Sequence, residues 1–293
     1  MTRKPATPAG TAKQTGPAPS VDRAGEPFLR WAGSKRKLIP ALRQYCPPKF
    51  GRYFEPFAGS ACLYFSLAPK RAVLGDFNKH LIGVYRAVRR DPAAVHRRLA
   101  RYPKTQEFYY RLRSSPPLGI GNAEAAARFI YLNRYCFNGV YRTNRDGYFN
   151  VPRGTRTGSL PTKVALASCS SVLRRAKLVS GDFEATIADA DKGDFVYLDP
   201  PYSTHEARER GEYGYGGFSS TDVERLARAL ATLDAKGAIF LMSYASTAEI
   251  KKTLRRWHQR PVAVRRHVAG FAKHRHQVTE LLVSNRQLGA AHK

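Results

Sequence analysis

The apolar run Phe195-Val196-Tyr197-Leu198 is followed at once by Asp199-Pro200-Pro201-Tyr202. Two successive prolines remove two backbone donors and fix two φ angles, so a strand that buries Phe195–Leu198 has to stop at the acid. Other short apolar runs end in the same manner, on small or acidic residues: Tyr53-Phe54 leads into "EPFAGSA", Ala72-Val73-Leu74 into "GDFN", and Lys177-Leu178-Val179 into "SGDF". Helical patterns separate several of them, and "AIFLMSYAS" supplies a further strand. Strands alternating with helices predict an α/β fold with a doubly wound, mostly parallel sheet. In such sheets ligands bind beyond the carboxyl ends of the strands, where these acids stand.

Composition divides the chain. Residues 1–25, rich in Pro, Ala, Thr and Gly with few large apolar groups, read as a disordered basic tail. Segments 26–80 and 164–293 carry the strands and form the predicted core, and 81–163 reads as an insertion. Its helical segments "DPAAVHRRLARY" and "NAEAAARFIYLNRYC" lead into "FNGVYRTNRDGYFNVPRG", where Asp146-Gly147 between Tyr141-Arg142 and Tyr148-Phe149 predicts a β-hairpin. In the second half, "TDVERLARALATLDAKG" predicts a helix that opens on a capping box, Thr221 with Glu224, and closes near Gly237.

Charge points to a partner. The chain has 50 Lys and Arg against 22 Asp and Glu, a formal net charge of +28, which marks nucleic acid as the first partner to consider. The excess is concentrated: 81–163 holds 16 basic and 4 acidic residues, and 251–293 holds 11 and 1. Cys46, Cys62, Cys136 and Cys169 form no C-x-x-C pair, so neither a disulfide framework nor a zinc site is indicated and buried thiols are expected. The "KHRHQ" cluster, Lys273 to Gln277, reads as a solvated basic face. No run approaches the roughly 20 apolar residues that span a bilayer, and the first residues lack the apolar stretch of a secretory signal. The expected setting is cytoplasmic, on nucleoid or phage DNA.

The chemistry of Asp199–Tyr202 can be stated by atoms. An exocyclic amine carries two N–H donors and needs two acceptors. The Asp199 carboxylate and the carbonyl of Pro200, its ring fixing the turn, supply them. Tyr202 offers a ring face on which a base can stack. The same four residues also fit a strand end turned by prolines, with Asp199 as a cap and Tyr202 as core. Asp76, 17 residues after Gly59, stands near the spacing at which an acid accepts ribose hydroxyls, and equally where a helix N-cap would stand.

The order of motifs gives a more specific reading. "FLRWAGSKRKL", "FEPFAGSACLYF", "LGDFNKHLIGVYRAV", "FIYLNRYCFNGVYRTNRDGYFNVPRG", "LVSGDF", "DPPY" and "QVTELLVSN" follow one another along most of the chain after residue 25. In this series the chain resembles the Dam-like N6-adenine-specific DNA methyltransferases of the D12 class. The resemblance implies S-adenosyl-L-methionine as cofactor, contacted by Trp31 and Lys35, with Phe57 and Gly59 beside its methionine part. Asp76 would take its ribose hydroxyls, and Asp182 with Phe183 its adenine ring. Asp199, Pro200 and Tyr202 would hold the target adenine, Asp199 also lying close to the cofactor. Arg30 and Arg142 would read base edges, and Phe137 and Asn138 would face DNA near the flipped base.

The family usually has Gly where this chain has Ser34 and Ala61, which implies a small cost in cofactor fit. The segment between Tyr202 and Phe218 is expected to be a loop over the target pocket.

The expected reaction is direct transfer of a methyl group to N6 of an adenine flipped from double-stranded DNA, with no metal and no covalent enzyme intermediate. A GATC-like recognition site, a cognate restriction endonuclease as partner, and action as a monomer or weak dimer on DNA go with that resemblance. The competing readings are an N4-cytosine DNA methyltransferase and a basic nucleic-acid-binding protein without catalysis.

Overall fold

The computed structural model describes residues 25–155, 157–202, 218–265 and 277–288. The predicted tail, the predicted loop after Tyr202 and the histidines of the basic cluster lie outside the described residues. The predicted α/β architecture is present. One seven-stranded sheet contains β1 (Tyr53–Glu55), β2 (Ala72–Asp76), β3 (Ala176–Ser180), β4 (Phe195–Leu198), β5 (Ile239–Ala245), β6 (His258–Arg265) and β7 (Gln277–Ser284), in the order β3-β2-β1-β4-β5-β7-β6. The first five run parallel. β7 is antiparallel to both β5 and β6. The order reverses between β1 and β4, so the carboxyl ends of these two strands flank the topological switch point.

Helices α1 (Ile39–Tyr45), α2 (Cys62–Leu67), α3 (Lys79–Arg90), α4 (Pro92–Ala100), α5 (Gln106–Ser114), α6 (Ala123–Tyr135) and α7 (Lys163–Leu173) precede β3. α8 (Phe183–Ile187), α9 (Ser220–Ala235) and α10 (Ala248–Thr253) follow it. Their starts are set by side-chain caps: Asn78, Asp91, Thr105, Asn122 and Thr162 each accept a backbone N–H in the first turn of the helix that follows.

Alternate residues of each strand serve two cores. Tyr53, Phe195, Tyr197, Leu241 and Leu282 face one, together with α2, α3, α6 and α7. Phe54, Val196, Leu198, Phe240, Met242 and Val283 face the other, with α8 and α9. The first core is continuous through Val95 and Leu99 of α4, Tyr109 of α5 and Ile130 and Leu132 of α6. The helices within 81–163 are therefore packed into the same apolar interior as one face of the sheet.

One local expectation needs correction. The capping box of α9 is Ser219 with Asp222: Ser219 Oγ accepts from Asp222 N–H, and Asp222 Oδ2 accepts from Ser219 N–H at 2.8 Å. Thr221 and Glu224 lie inside the helix. The earlier start places Phe218 just before the cap and Val223 in the next turn, both packed in the second core, which is a hydrophobic staple. The predicted hairpin about Asp146-Gly147 is present and short, built on one antiparallel bridge. Thr143 bridges Phe149, Asn144 and Tyr148 share a backbone bond, and Gly147 N–H donates to Asn144 O around Arg145-Asp146. Gly147 at φ 82° is the left-handed residue that this turn requires.

Candidate active site

β4 ends at the switch point and delivers Asp199 there. The Asp199 side chain is 19% exposed, and its Oδ1 lies 2.6 Å from the Lys35 ammonium. The same oxygen accepts a hydrogen bond from Ser243 Oγ at 3.0 Å, and Ser243 is in contact at 2.9 Å with the buried Tyr197 hydroxyl. Oδ2 accepts no hydrogen bond from the described residues. One carboxylate oxygen is thus clamped by the protein while the other remains to receive a donor. Tyr202, half-buried, packs edge-on to Tyr244 at 5.2 Å and donates its hydroxyl to Glu280 Oε1 at 3.1 Å. Lys35 Nζ lies 5.3 Å from the Tyr202 ring centroid and 3.8 Å from Glu280 Oε1.

Glu280 is a site residue that motif reading passed over. It is fully buried on β7, between Thr279 and two core leucines, and reaches Tyr202 across the carboxyl end of β5. An acid inside an otherwise apolar strand was the available signal, because burying a carboxylate costs several kcal/mol unless it is partnered.

The loop after β1 faces the loop after β2. Gly59 N–H donates to Asp76 Oδ2 at 3.0 Å, and Asn78 N–H donates to Asp76 Oδ1 at 2.8 Å. Asp76 thus braces both loops, and the helix cap proper is Asn78. Burial pushes the Asp76 carboxyl up to about 6 despite the two backbone donors. Gly59 is left-handed at φ 46°, and a Cβ on it would come 2.8 Å from Trp31 Cδ1. Phe77, beside Asp76, is 73% exposed and was not singled out by sequence.

Glu55, at the end of β1, is 3% exposed. Burial, with smaller contributions from Asp199 and Asp76, raises its carboxyl to about 8, although it accepts a hydrogen bond from Tyr53 at 2.8 Å. Three acids of adjacent strands converge here, and the innermost is the one held neutral at pH 7.

The other expected positions are more dispersed. Phe57 stacks on Phe183 at 5.3 Å. Phe183 itself is only 5% exposed, with the Arg225 guanidinium 5.0 Å from its ring centroid. Asp182 caps α8 and pairs through Oδ1 with Arg225 at 2.8 Å. Lys35 is buried and committed to Asp199. Trp31 stacks with Phe129 of α6 and Tyr141, which in turn stack on each other at 4.8 Å. Ser34, Ser60 and Cys62 form a chain of polar contacts of 3.1 to 3.3 Å beneath that loop. Pro200 is buried directly after Asp199.

Arg30 N–H donates to Asn133 Oδ1 at 2.9 Å and its Nη1 to Arg134 O at 2.9 Å. Arg142 Nε donates to Asn150 Oδ1 at 2.8 Å, across the chain reversal. A 3-10 turn, Phe137–Gly139, lies between them. It presents Phe137 at 41% exposure and Asn138 in the left-handed region at φ 52°. Its register is fixed by Phe137 N–H donating to Pro152 O at 2.9 Å.

Cys62, Cys136 and Cys169 are buried and Cys46 is half-buried; all four are free thiols. Burial pushes Cys46, Cys136 and Cys169 up to about 12. Among the described residues no group of His, Cys, Asp and Glu is arranged to hold a metal ion, and no helix is long and apolar enough to cross a membrane.

Comparison with known proteins shows the family. A family model described as D12 class N6 adenine-specific DNA methyltransferase matches residues 31–268. The chain is 35% identical to the type II methyltransferase M1.LlaDCHI of Lactococcus lactis subsp. cremoris, over 88% of this chain and 95% of that protein. It is 32% identical to a DNA adenine methylase of Salmonella typhi, over 87% and 93%. With the type II methyltransferase M.MjaIII of Methanocaldococcus jannaschii it shares 30% identity, over 74% and 83%.

Proposed function

The chain belongs to the D12 class of N6 adenine-specific DNA methyltransferases, and on that premise we propose that it draws its methyl group from S-adenosylmethionine and delivers it to an adenine turned out of duplex DNA into the Asp199 pocket. The observation that carries this is the asymmetry of the Asp199 carboxylate: Oδ1 is held by Lys35 and Ser243, and Oδ2 is left for one N–H of the adenine amine. The second N–H goes to the Pro200 carbonyl, and the base stacks on Tyr202. Both acceptors raise electron density on N6 and orient its lone pair, so the protein contributes by positioning and preset electrostatics.

The donor residues suit this cofactor. Asp76 is half-buried, each of its oxygens accepts one backbone N–H, and each retains capacity for a ribose hydroxyl. Phe77 would give the cofactor adenine an exposed ring face in place of the expected Phe183, which is buried at 5% exposure, and Asp182 Oδ2 would accept from its amine. Gly59 and Phe57 line the methionine side, below Trp31; Lys35 reaches the cofactor only past its bond to Asp199. When bound, S-adenosylmethionine supplies an electrophilic sulfonium methyl.

Residues 81–163 form the target-recognition segment in this reading. Arg30 and Arg142, each braced by a protein acceptor, present guanidinium forks suited to guanine O6 and N7. Two such forks support a GATC-like site. Phe137 and Asn138 meet the duplex beside the flipped base. The type II names among the relatives support a cognate restriction endonuclease as partner, and DNA as substrate supports a cytoplasmic setting; action as a monomer or weak dimer on DNA is part of the same proposal.

The test is incubation with methyl-labelled S-adenosylmethionine and duplex DNA, followed by nucleoside analysis. N6-methyladenine is expected. Label in N4-methylcytosine, or in no base, would overturn the reading. Sequencing the modified positions checks the recognition site, and a motif without guanine removes the roles given to Arg30 and Arg142.

A further inference from the structure

α3 and α7 end side by side: Ser170 Oγ of α7 donates to Arg89 O of α3 at 3.0 Å. Both ends lie at the amino-terminal end of β3, at the edge of the sheet. α3 begins just after its cap Asn78, beside Asp76, and its 12 residues carry the chain about 18 Å away from that acid. A surface cavity of about 490 Å³ lies here, lined by Arg86, Arg89, Arg90 and Arg174.

None of the four guanidiniums lies within 4.0 Å of a carboxylate among the described residues. Asp91, next in sequence to Arg90, is occupied as the cap of α4. Some of this charge has a purely structural use. Arg86 and Arg89 each donate one N–H to the β3 carbonyls, Leu178 O at 3.0 Å and Ala176 O at 2.8 Å, and so cover an edge strand. Cations also offset the roughly half negative charge at each helix carboxyl end.

These uses do not exhaust the cluster. Two helix ends offset about one unit of charge, whereas four guanidiniums supply four. Arg90 gives one N–H to Gly121 O, and Arg174 gives only long contacts of 3.4 and 3.5 Å to Ser170 and Ser171. Each Arg has five donors, so most donors facing the cavity have no protein acceptor. Guanidinium forks left in this state match phosphate oxygens.

We propose that this cavity is a second phosphate site, which takes the backbone of a DNA segment other than the one whose adenine enters the Asp199 pocket. It rests on the family reading only in taking DNA as the polyanion. Its distance from Asp76, along α3, places it outside the cleft where the target base reacts.

The test uses the full chain and the pair Arg90→Gln with Arg174→Gln, which spares the two arginines that cover β3. Lys192→Gln with Arg228→Gln, exposed before β4 and on α9, removes the same charge elsewhere. Affinity is measured by fluorescence anisotropy across a salt series, on a target duplex of about 12 base pairs, little more than one helical turn, and on one of about 40. Losing two phosphate contacts should make the slope of log K against log salt shallower by about 2 on the long duplex. The control pair should leave it unchanged, and methyl transfer to the short duplex should be the same in all proteins. An equal change in both pairs, or no change in either, overturns the proposal. Calorimetry with inorganic triphosphate separates the other source of the same chemistry: 1:1 binding lost in the Arg90/Arg174 pair, with an unaltered long-duplex slope, makes the cavity a small-anion site and also overturns it. Methyl transfer by the unaltered protein is scored separately, so failure of the methyltransferase reading has its own signature.

Discussion

The ammonium of Lys35 lies 2.6 Å from Oδ1 of Asp199, and Lys35 is itself 6% exposed. A lysine so enclosed, with Glu280 also 3.8 Å away, holds the Asp199 carboxylate in one orientation. Asp199→Ala should lower the rate of methyl transfer by at least about 10²–10³-fold, the scale of losing a preset polar group at a reacting centre. DNA affinity should persist. Single-turnover transfer and anisotropy binding check this together, and full activity in the variant would falsify the role given to Asp199.

Glu280→Gln keeps the shape of the side chain and removes its charge. Tyr202 then has a weaker acceptor, and Lys35 retains one carboxylate in place of two. The expected result is a fall in kcat on the order of 10–10²-fold with little change in DNA affinity, since the residue positions others and is itself buried. Equal loss of binding and turnover would show instead that Glu280 only supports folding.

Ala61 occupies the left-handed region at φ 49° while fully packed. An L-residue there costs roughly 1–2 kcal/mol, part of which Gly returns through its freer unfolded chain. Ala61→Gly should therefore stabilise by about 0.5–1 kcal/mol, a rise of about 2 °C in Tm for a domain of this size. Calorimetry decides the sign.

Glu55 carries a pH signature. Its carboxyl is raised in the folded protein to about 8, from an ordinary value of 4.5. The folded state therefore holds the proton more tightly between those limits, and stability falls as pH rises through them. The slope can reach about 1.4 kcal/mol per pH unit. Glu55→Gln should flatten the curve of Tm against pH between 5 and 8, and an unchanged curve would place the dependence elsewhere.

Asp76, raised to about 6, should govern cofactor affinity at lower pH. Only its ionised form is a full acceptor for ribose hydroxyls, so Kd for S-adenosylmethionine should weaken below pH 6, approaching tenfold per unit. Asp76→Asn should bind weakly with no such inflection. Isothermal titration across pH 5 to 8 measures both.

The sheet was legible because its strands end on acids and small residues, and each of those ends stands where a ligand site is expected. β6 escaped because "HQRPVAVR" carries Pro261 and three basic groups; it is an edge strand, where a missing donor and exposed charge are tolerated. α5 and α7 were not singled out, since neither carries a motif. The box at Ser219 and Asp222 overlaps the one expected at Thr221 and Glu224, and only the docking of Phe218 on Phe57 and Phe183 chooses between them. Asp199 and Asp76 could be found from their neighbours in sequence. Glu280 could not be tied to Tyr202, 78 residues away, because that contact exists only once β7 has inserted antiparallel beside β5.

The apolar interior that runs without a break from Tyr53 and Phe195 of the sheet through Leu99 of α4 to Ile130 of α6 also decides how the molecule melts. The segment 81–163, if hung on the sheet by a thin neck, could unfold alone and leave the sheet standing. Here its helices contribute the lid of the sheet's own core, so opening them exposes that core to water. Residues 81–163 and the sheet that carries Asp199 are thus one cooperative unit, and amide exchange in α6 should require the same global opening as exchange in β1.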